Sequence, residues 1–356
     1  MKNQRSVAPS ARAHRPVSPR QLRSATVTGL LMAATALPIV TTSSSASAKT
    51  TLRIATLVPK ASSWGKVLKV WAKATKKISK GDLELKVYYN AVQGGEKTMV
   101  AKLRTNQLDG AELSLLGLSM IDKNVRLLAS GGFIKDWATM DRVRNALTPQ
   151  YKAEFKKQGY ALLSWTDAGI VYPFSTGVEP RRPKDLIGKK VAVFRGAPEG
   201  NLFFEAIGGA GVVPVTPFEV LPQLRSGNLN YVTVPAMAAE QLQWTPYLDN
   251  VVLNPMACGF GGTMMRQAPL DELPADLRSR FLKLQDGLQK YKITRNRAED
   301  DASLARVTKK LKVIKLTPAE LASWKKVGQK VRQRMSQGLF SKTEMQRVAR
   351  LAGVDY

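Results

Sequence analysis

The chain has 356 residues, with 55 lysines and arginines against 27 acids, a net charge of +28, one histidine and one cysteine. A single cysteine, Cys258, excludes an internal disulfide, so it is expected to serve as a small buried hydrophobe. The cations are spread over the whole length, with no zinc-ligand spacing, helix-turn-helix signature or RNA-binding aromatic motif, which argues against a nucleic-acid partner. Solubility and a diffuse attraction to anionic membrane lipids are the readings of the charge that remain.

Residues 1–48 read as a leader. Lys2, Arg5, Arg12, Arg15, Arg20 and Arg23 come without an acid, the apolar run VTGLLMAATALPIV follows, and Ala46-Ser47-Ala48 fits the small-x-small rule for cleavage before Lys49. The apolar run is too short, and too interrupted by Thr and Pro, for a good membrane span. The expected product is an exported, soluble protein with a net charge of about +22. The only histidine, His14, leaves with the leader. That excludes Ser–His and Cys–His nucleophile pairs and histidine-ligated metals from the remainder.

After the cut, TLRIATL alternates as a strand does, and a loop over 59–63 leads into a helix with Trp64, Val67, Leu68, Trp71, Thr75 and Ile78 on one face. LELKVYY is a second strand. A turn at Gly94-Gly95 precedes a helix over 96–106, and GAELSLLG is a third strand. This β-α-β-α-β order opens an α/β sheet. Thr148-Pro149 is expected to start a helix that Gly159 ends, and YALLSW to follow as a strand ending at Trp165. Thr216-Pro217-Phe218-Glu219 and Thr317-Pro318-Ala319-Glu320 are capping boxes. Pro222 predicts that the helix after the first box is very short or kinked. From Glu272 to about Ala352 the pattern is helical apart from KVIKL, a candidate strand. The long helix lacks a sustained heptad, so it is expected to pack across two lobes rather than form a coiled coil.

Four segments together resemble the substrate-binding proteins of tripartite ATP-independent periplasmic (TRAP) transporters, the DctP-type family: RIATLVPKASSW, YYNAVQGGEKTMVAKLRTNQLDGAELS, RRPKDLIGKKVAV and VVPVTPFEVLPQLRSGNLN. The resemblance implies a two-lobe periplasmic-binding-protein fold, type II-like, with hinge strands and a long C-terminal helical segment. Lobe I would comprise 49–174 with 259–300 returning to it, lobe II 175–258, and residues 301–356 helices packed across both. It also implies a small-molecule ligand held in the cleft, two ion-driven membrane subunits as partners, no cofactor and no catalysis. The arginine that grips a ligand carboxylate in such receptors falls at Ala192, a second near Ile170-Val171-Tyr172 is absent, and the family's acid is Asn230. The usual clamp is therefore missing, and a ligand larger or more hydrophobic than a C4 dicarboxylate is expected. The alternative on the same fold is an envelope carrier of a lipid, sterol-like or other hydrophobic compound.

The candidate ligand-binding residues are Arg195, Trp64, Glu96, Trp165, Asp167, Ala192 and Trp244. Arg195, at a strand end where ligands of open α/β folds bind, is either a displaced anion holder or a solvated arginine. Glu96 and Asp167 face either the cleft or water, and each tryptophan, Trp137 included, is either ligand wall or core. The run AIGGAGVVP lacks the residues of a phosphate loop and reads as a helix end. Leu321, Trp324, Val327, Val331 and Met335 form one stripe of the C-terminal helix, which packs on the lobes or lies on a membrane surface.

Overall fold

A computed structural model describes residues 49–129 and 132–354; the leader expectation lies outside them. The first half runs β1 (Thr50–Thr56), α1 (Ser63–Ile78), β2 (Leu83–Tyr88), α2 (Glu96–Arg104), β3 (Gly110–Ser114) and α3 (Leu115–Ser119). A 3₁₀ turn at Lys123–Leu128, helix α4 (Trp137–Lys157) and the long strand β4 (Tyr160–Ser175) follow. Then come β5 (Lys190–Phe194), α5 (Pro198–Ala206), β6 (Gly211–Val215), α6 (Pro217–Arg225), β7 (Tyr231–Pro235), α7 (Ala236–Gln241) and β8 (Asn250–Val252). The chain returns through β9 (Ala257–Arg266), α8 (Gln267–Asp271) and α9 (Ala275–Val307). It ends with β10 (Lys312–Ile314), α10 (Pro318–Gly338) and α11 (Lys342–Ala352).

The strands lie in the order β2-β1-β3-β9-β4-β7-β5-β6, with β8 and β10 attached beside β4. At one end β2, β1 and β3 are parallel; at the other, β7, β5 and β6 are. Two antiparallel strands join these ends. The first part of β4 pairs with β9 from Tyr160 to Val171, and its last five residues pair with β7, so β4 belongs to both halves. A bulge in β4 at Asp167/Gly169 lies just before the change. Gly169 has φ +128, and a Cβ there would lie 2.4 Å from an Asp300 carboxylate oxygen and 2.6 Å from Pro235. Only glycine fits.

Helix α9 explains why its pattern was hard to read. Its buried residues, Leu277, Phe281, Gln285, Leu288, Lys292, Asn296, Asp300, Ser303 and Val307, form one stripe at helical spacing. The stripe is mainly apolar in its first half, against Trp71 and Leu163, and polar in its second. Lys292 Nζ donates to Glu112 Oε2 (3.0 Å) of β3 and to Thr263 Oγ1 (2.5 Å) of β9. Asn296 donates to the Asp167 carbonyl (2.9 Å), and Arg297 Nε to the Asp167 carboxylate (2.7 Å) of β4. Ser303 donates to Glu240 of α7 at 2.8 Å. The helix contacts both halves, through apolar packing at its two ends and polar partners between.

Two local expectations are corrected. Helix α4 starts at Trp137 rather than at Thr148, because Asp136 accepts from the Thr139 N–H and caps it; Pro149 sits inside the helix. There the Thr148 hydroxyl donates to the Arg144 carbonyl at 2.6 Å. Strand β4 runs ten residues past Trp165, which lies in its interior. Helix α6 is short, nine residues with Pro222 inside, as expected, and KVI is a strand beside β8. Cys258 is buried. Among the described residues no helix is long and apolar enough to cross a membrane.

Lys292 has a side-chain exposure of 1 % and Glu112 of 9 %, so removing one partner strands the other charge. Lys292→Ala is expected to lower unfolding stability by about 3–5 kcal/mol. Lys292→Met combined with Glu112→Gln is expected to restore most of the loss. Urea denaturation of the three proteins checks this, and equal midpoints for wild type and Lys292→Ala would contradict it.

Candidate functional site

A cavity of about 1740 Å³ opens where the two ends of the sheet meet, between the β5 and β7 strand ends, α5, α10 and the segment leading into α4. Its floor comes from the strands: Val171 and Pro173 of β4, Ala192 and Phe194 of β5, and Val234 and Pro235 of β7. Leu115 and Leu116, at the start of α3, close it from the first half. Ala192, where the family resemblance places a carboxylate-gripping arginine, lines the cavity, and so does Val171 from the Ile170-Val171-Tyr172 stretch near which it places a second; both are apolar.

One wall is aromatic. Trp324 of α10 stacks on Phe203 of α5 with ring centroids 6.0 Å apart and planes within 4°. Phe203 meets Phe204 edge-on at 5.2 Å, and Phe204 meets Tyr231 at 6.0 Å. All four line the cavity. The Trp324 indole N–H donates to the Arg181 carbonyl at 2.8 Å, which fixes the ring plane. Charged groups also line the cavity, among them Lys135, Lys325 and Arg332, with Asp136 and Glu199. Burial, and then the charges of Lys325 and Arg332, hold the Lys135 ammonium below the ordinary lysine range.

Of the sequence-predicted residues, Ala192 lines this cavity and the other six do not. Trp64, half-buried, packs against the same apolar cluster as Ala192, together with Tyr172 and Phe194. Glu96 is buried and structural: it accepts from the Ser114 N–H (2.5 Å) and hydroxyl (2.8 Å) and so fixes the turn that presents Leu115 and Leu116. Burial raises its pKa, opposed by those hydrogen bonds. Trp165 is interior, bonded to Thr148 (2.9 Å) and edge-on to Tyr151 and Phe260. Asp167 is fully buried between Arg144 and Arg297. Trp244 is buried in the core under β7 and α7.

Of the two readings of Arg195, anion holder or solvated arginine, its surroundings here agree with the second. Its side chain is half exposed and pairs with Glu219, whose carboxylate also caps Thr216 N–H at 2.7 Å, outside the cavity lining. Trp137 stacks under the Arg297 guanidinium at 4.5 Å. The residues that do form the wall, Phe203, Phe204, Tyr231 and Trp324, went unassigned except for Trp324. Its stripe was visible in the sequence, but periodicity does not distinguish a residue that packs from one that lines a cavity. Among the described residues no three of His, Cys, Asp and Glu gather as metal ligands.

The sequence model of the family described as bacterial extracellular solute-binding protein, family 7 (DctP), matches residues 54–338. The chain belongs to this family. A solute-binding protein from Chromohalobacter salexigens is 25 % identical over 169 residues, 47 % of this chain, and the match spans only 49 % of that relative's own length. A TRAP periplasmic solute binding protein from Shewanella oneidensis, solved with bound succinate, superposes with a TM-score of 0.79 at 15 % identity, over 86 % of this chain and 100 % of that one. The sugar acid binding protein of Advenella mimigardefordensis, in complex with galactonate, gives 0.78 at 14 % identity, over 86 % and 98 %. At these identities the likeness establishes the fold, the two-lobe architecture of TRAP substrate-binding proteins. This DctP-family protein thus falls among solute-binding proteins rather than in an enzyme class.

Behind the cavity floor, Asp300 of α9 accepts from the backbone N–H groups of Ile170 (2.8 Å) and Met237 (3.0 Å). It ties the β4 bulge to the turn after Pro235. Burial pushes its carboxyl up to about 6, against those two hydrogen bonds. The unfolded value is near 3.9, so between about pH 4 and 6 the folded protein holds a proton that the unfolded chain has released. That contribution is fully present below the unfolded value and is lost as pH rises to about 6, on the order of 2–3 kcal/mol. In Asp300→Asn this fall is expected to vanish from the pH dependence of unfolding. Parallel wild-type and variant profiles from pH 4 to 7 would show that Asp300 does not titrate there.

Proposed function

We propose that this protein is an extracytoplasmic receptor that captures an organic compound with a large apolar body in the cavity and delivers it to a TRAP-type membrane transporter. Export to the periplasm, with the leader removed before Lys49, is part of the proposal and rests on the sequence of residues 1–48. Membership of an extracellular solute-binding family supports the receptor role. The related structures with succinate and galactonate support a small organic acid as the general ligand class.

The observation that carries the narrower reading is the apolar pair Ala192 and Val171 on the floor, facing the aromatic wall of Trp324 and Phe203. A C4 dicarboxylate has two charged ends and almost no apolar surface, so such a floor would desolvate its carboxylates without hydrogen bonds. An apolar body instead gains roughly 25 cal/mol for each Å² it removes from water. The cavity also exceeds the range of about 300–1,000 Å³ common for ligand pockets, which leaves room for a bulky solute.

A thermal-shift and calorimetric panel tests this. Octanoate, cinnamate and 4-phenylbutyrate are expected to stabilise the protein, by about 2.7 kcal/mol at a hundredfold excess over Kd. Succinate and galactonate are expected to leave it unchanged. Strong stabilisation by succinate with none by the apolar acids would sink the proposal.

A further inference from the structure

We propose that Lys135, Lys325 and Arg332 form a relocated anion clamp at one side of the cavity, which holds the oxyanion head of a ligand whose apolar body lies along Trp324 and Phe203. The inference rests on the reading of the cavity as a solute site and adds where the charge of the solute sits.

Lys325 and Arg332 are seven residues apart on α10, two turns along one face, and both line the cavity. Gly328 lies between them on that face. A Cβ there would be 3.6 Å from Arg332 Nη1, so the guanidinium covers this turn on the Lys325 side. Phe133 sits beneath the guanidinium, 5.5 Å from its centre, and orients it. Lys135, two residues after Phe133, brings the third cation from the segment ahead of α4. It is close enough for the charges of Lys325 and Arg332 to act on its ammonium.

The cavity's own acids do not pair with the two lysines. Asp136 is engaged at the head of α4, accepting from the Thr139 N–H (2.8 Å) and hydroxyl (2.9 Å). Glu199 is paired with Arg126, which also donates to the Gly196 carbonyl. Among the described residues neither Lys135 nor Lys325 makes an ion pair or hydrogen bond. Lys135 and Lys325 are exposed; like charges gathered beside one another repel, and an anion placed among them relieves that repulsion.

Trp324 adjoins Lys325 in sequence and lies flat on Phe203, so the cationic end and the aromatic wall are continuous. That arrangement fits an amphipathic organic anion, such as an aryl- or alkyl-carboxylate with one charged head. It does not fit a compound charged at both ends.

The test titrates wild type, Lys135→Gln, Lys325→Gln and the control Lys326→Gln with 4-phenylbutyrate, its neutral amide and succinate. Lys326 lies outside the cavity lining. The acid is expected to bind wild type and the control alike and to lose about tenfold in each of the two clamp variants, while the amide binds more weakly and equally to all four. If acid and amide bind wild type equally, or the clamp variants bind the acid as wild type does, the clamp is overturned and the apolar site stands. Binding of succinate alone overturns the ligand class as well as the clamp, and so does binding of none of the three.

Discussion

The polar row along the second half of α9 is the constraint on which the rest of the structure depends. Four strands or helices from both ends of the sheet reach it: β3 through Glu112, β9 through Thr263, β4 through Asp167 and Ile170, and α7 through Met237 and Glu240. Apolar packing would hold these elements together without fixing their register, because hydrophobic contacts are not directional. Buried ion pairs and backbone hydrogen bonds are directional and fail steeply when displaced. The row therefore fixes where β4 changes partners from β9 to β7. That crossing point sets the distance between Leu115 on one side of the cavity and Ala192 on the other.

The same row accounts for the division of labour among the acids. Asp167 of β4, Glu112 of β3 and Asp300 of α9 are each taken up in the contact between α9 and the sheet, by a cation of α9 or by backbone N–H groups. Glu96 is consumed by the Ser114 turn. What remains to line the cavity is a largely apolar floor, an aromatic wall, and polar and charged side chains that include Asn254, Gln329, Lys135, Lys325 and Arg332. On the floor itself Ala192 and Val171 offer a carboxylate no hydrogen bond, and Thr233 is the polar side chain among its strand residues.

The fold was legible because its elements carry local signals: alternating strands, Thr-Pro-x-Glu boxes and a helical face on α1. The family likeness rested on four such segments in order. Strand β9, ACGFGGTMMR, was not legible, since its glycines are there for close approach rather than for alternation. A Cβ on Gly261 would lie 2.2 Å from the Leu113 carbonyl. Helix α9 read as merely helical, because its buried stripe passes from Leu277 and Phe281 to Lys292 and Asp300, and a hydrophobicity pattern registers only the first half. Of the site, Ala192 was found through a motif, whereas Arg195, Asp167 and Trp165 were chosen by their closeness to strand ends. Closeness along the chain does not tell which face of the sheet a side chain takes, and a shift of one residue reverses it.

Alternation along β5 shows how one position redirects a site. Val191 and Val193 join the core beneath α5, while Ala192 turns to the opposite cluster with Trp64 and Tyr172 packed nearby. An arginine at 192 would bring a charge into that cluster and require a counter-ion or a ligand to complete it. Alanine removes the requirement and leaves the space to apolar neighbours. A charged solute head must then be met elsewhere, and α10 is suited to meet it. Its buried face, Val327, Val331 and Met335, anchors it to the core, while Trp324, Lys325, Gly328 and Arg332 remain on the cavity side. Recognition carried by a helix anchored this firmly can change its charged residues without disturbing the strands beneath. On the proposed reading, the sheet sets the shape of the cavity and α10 contributes much of its chemistry.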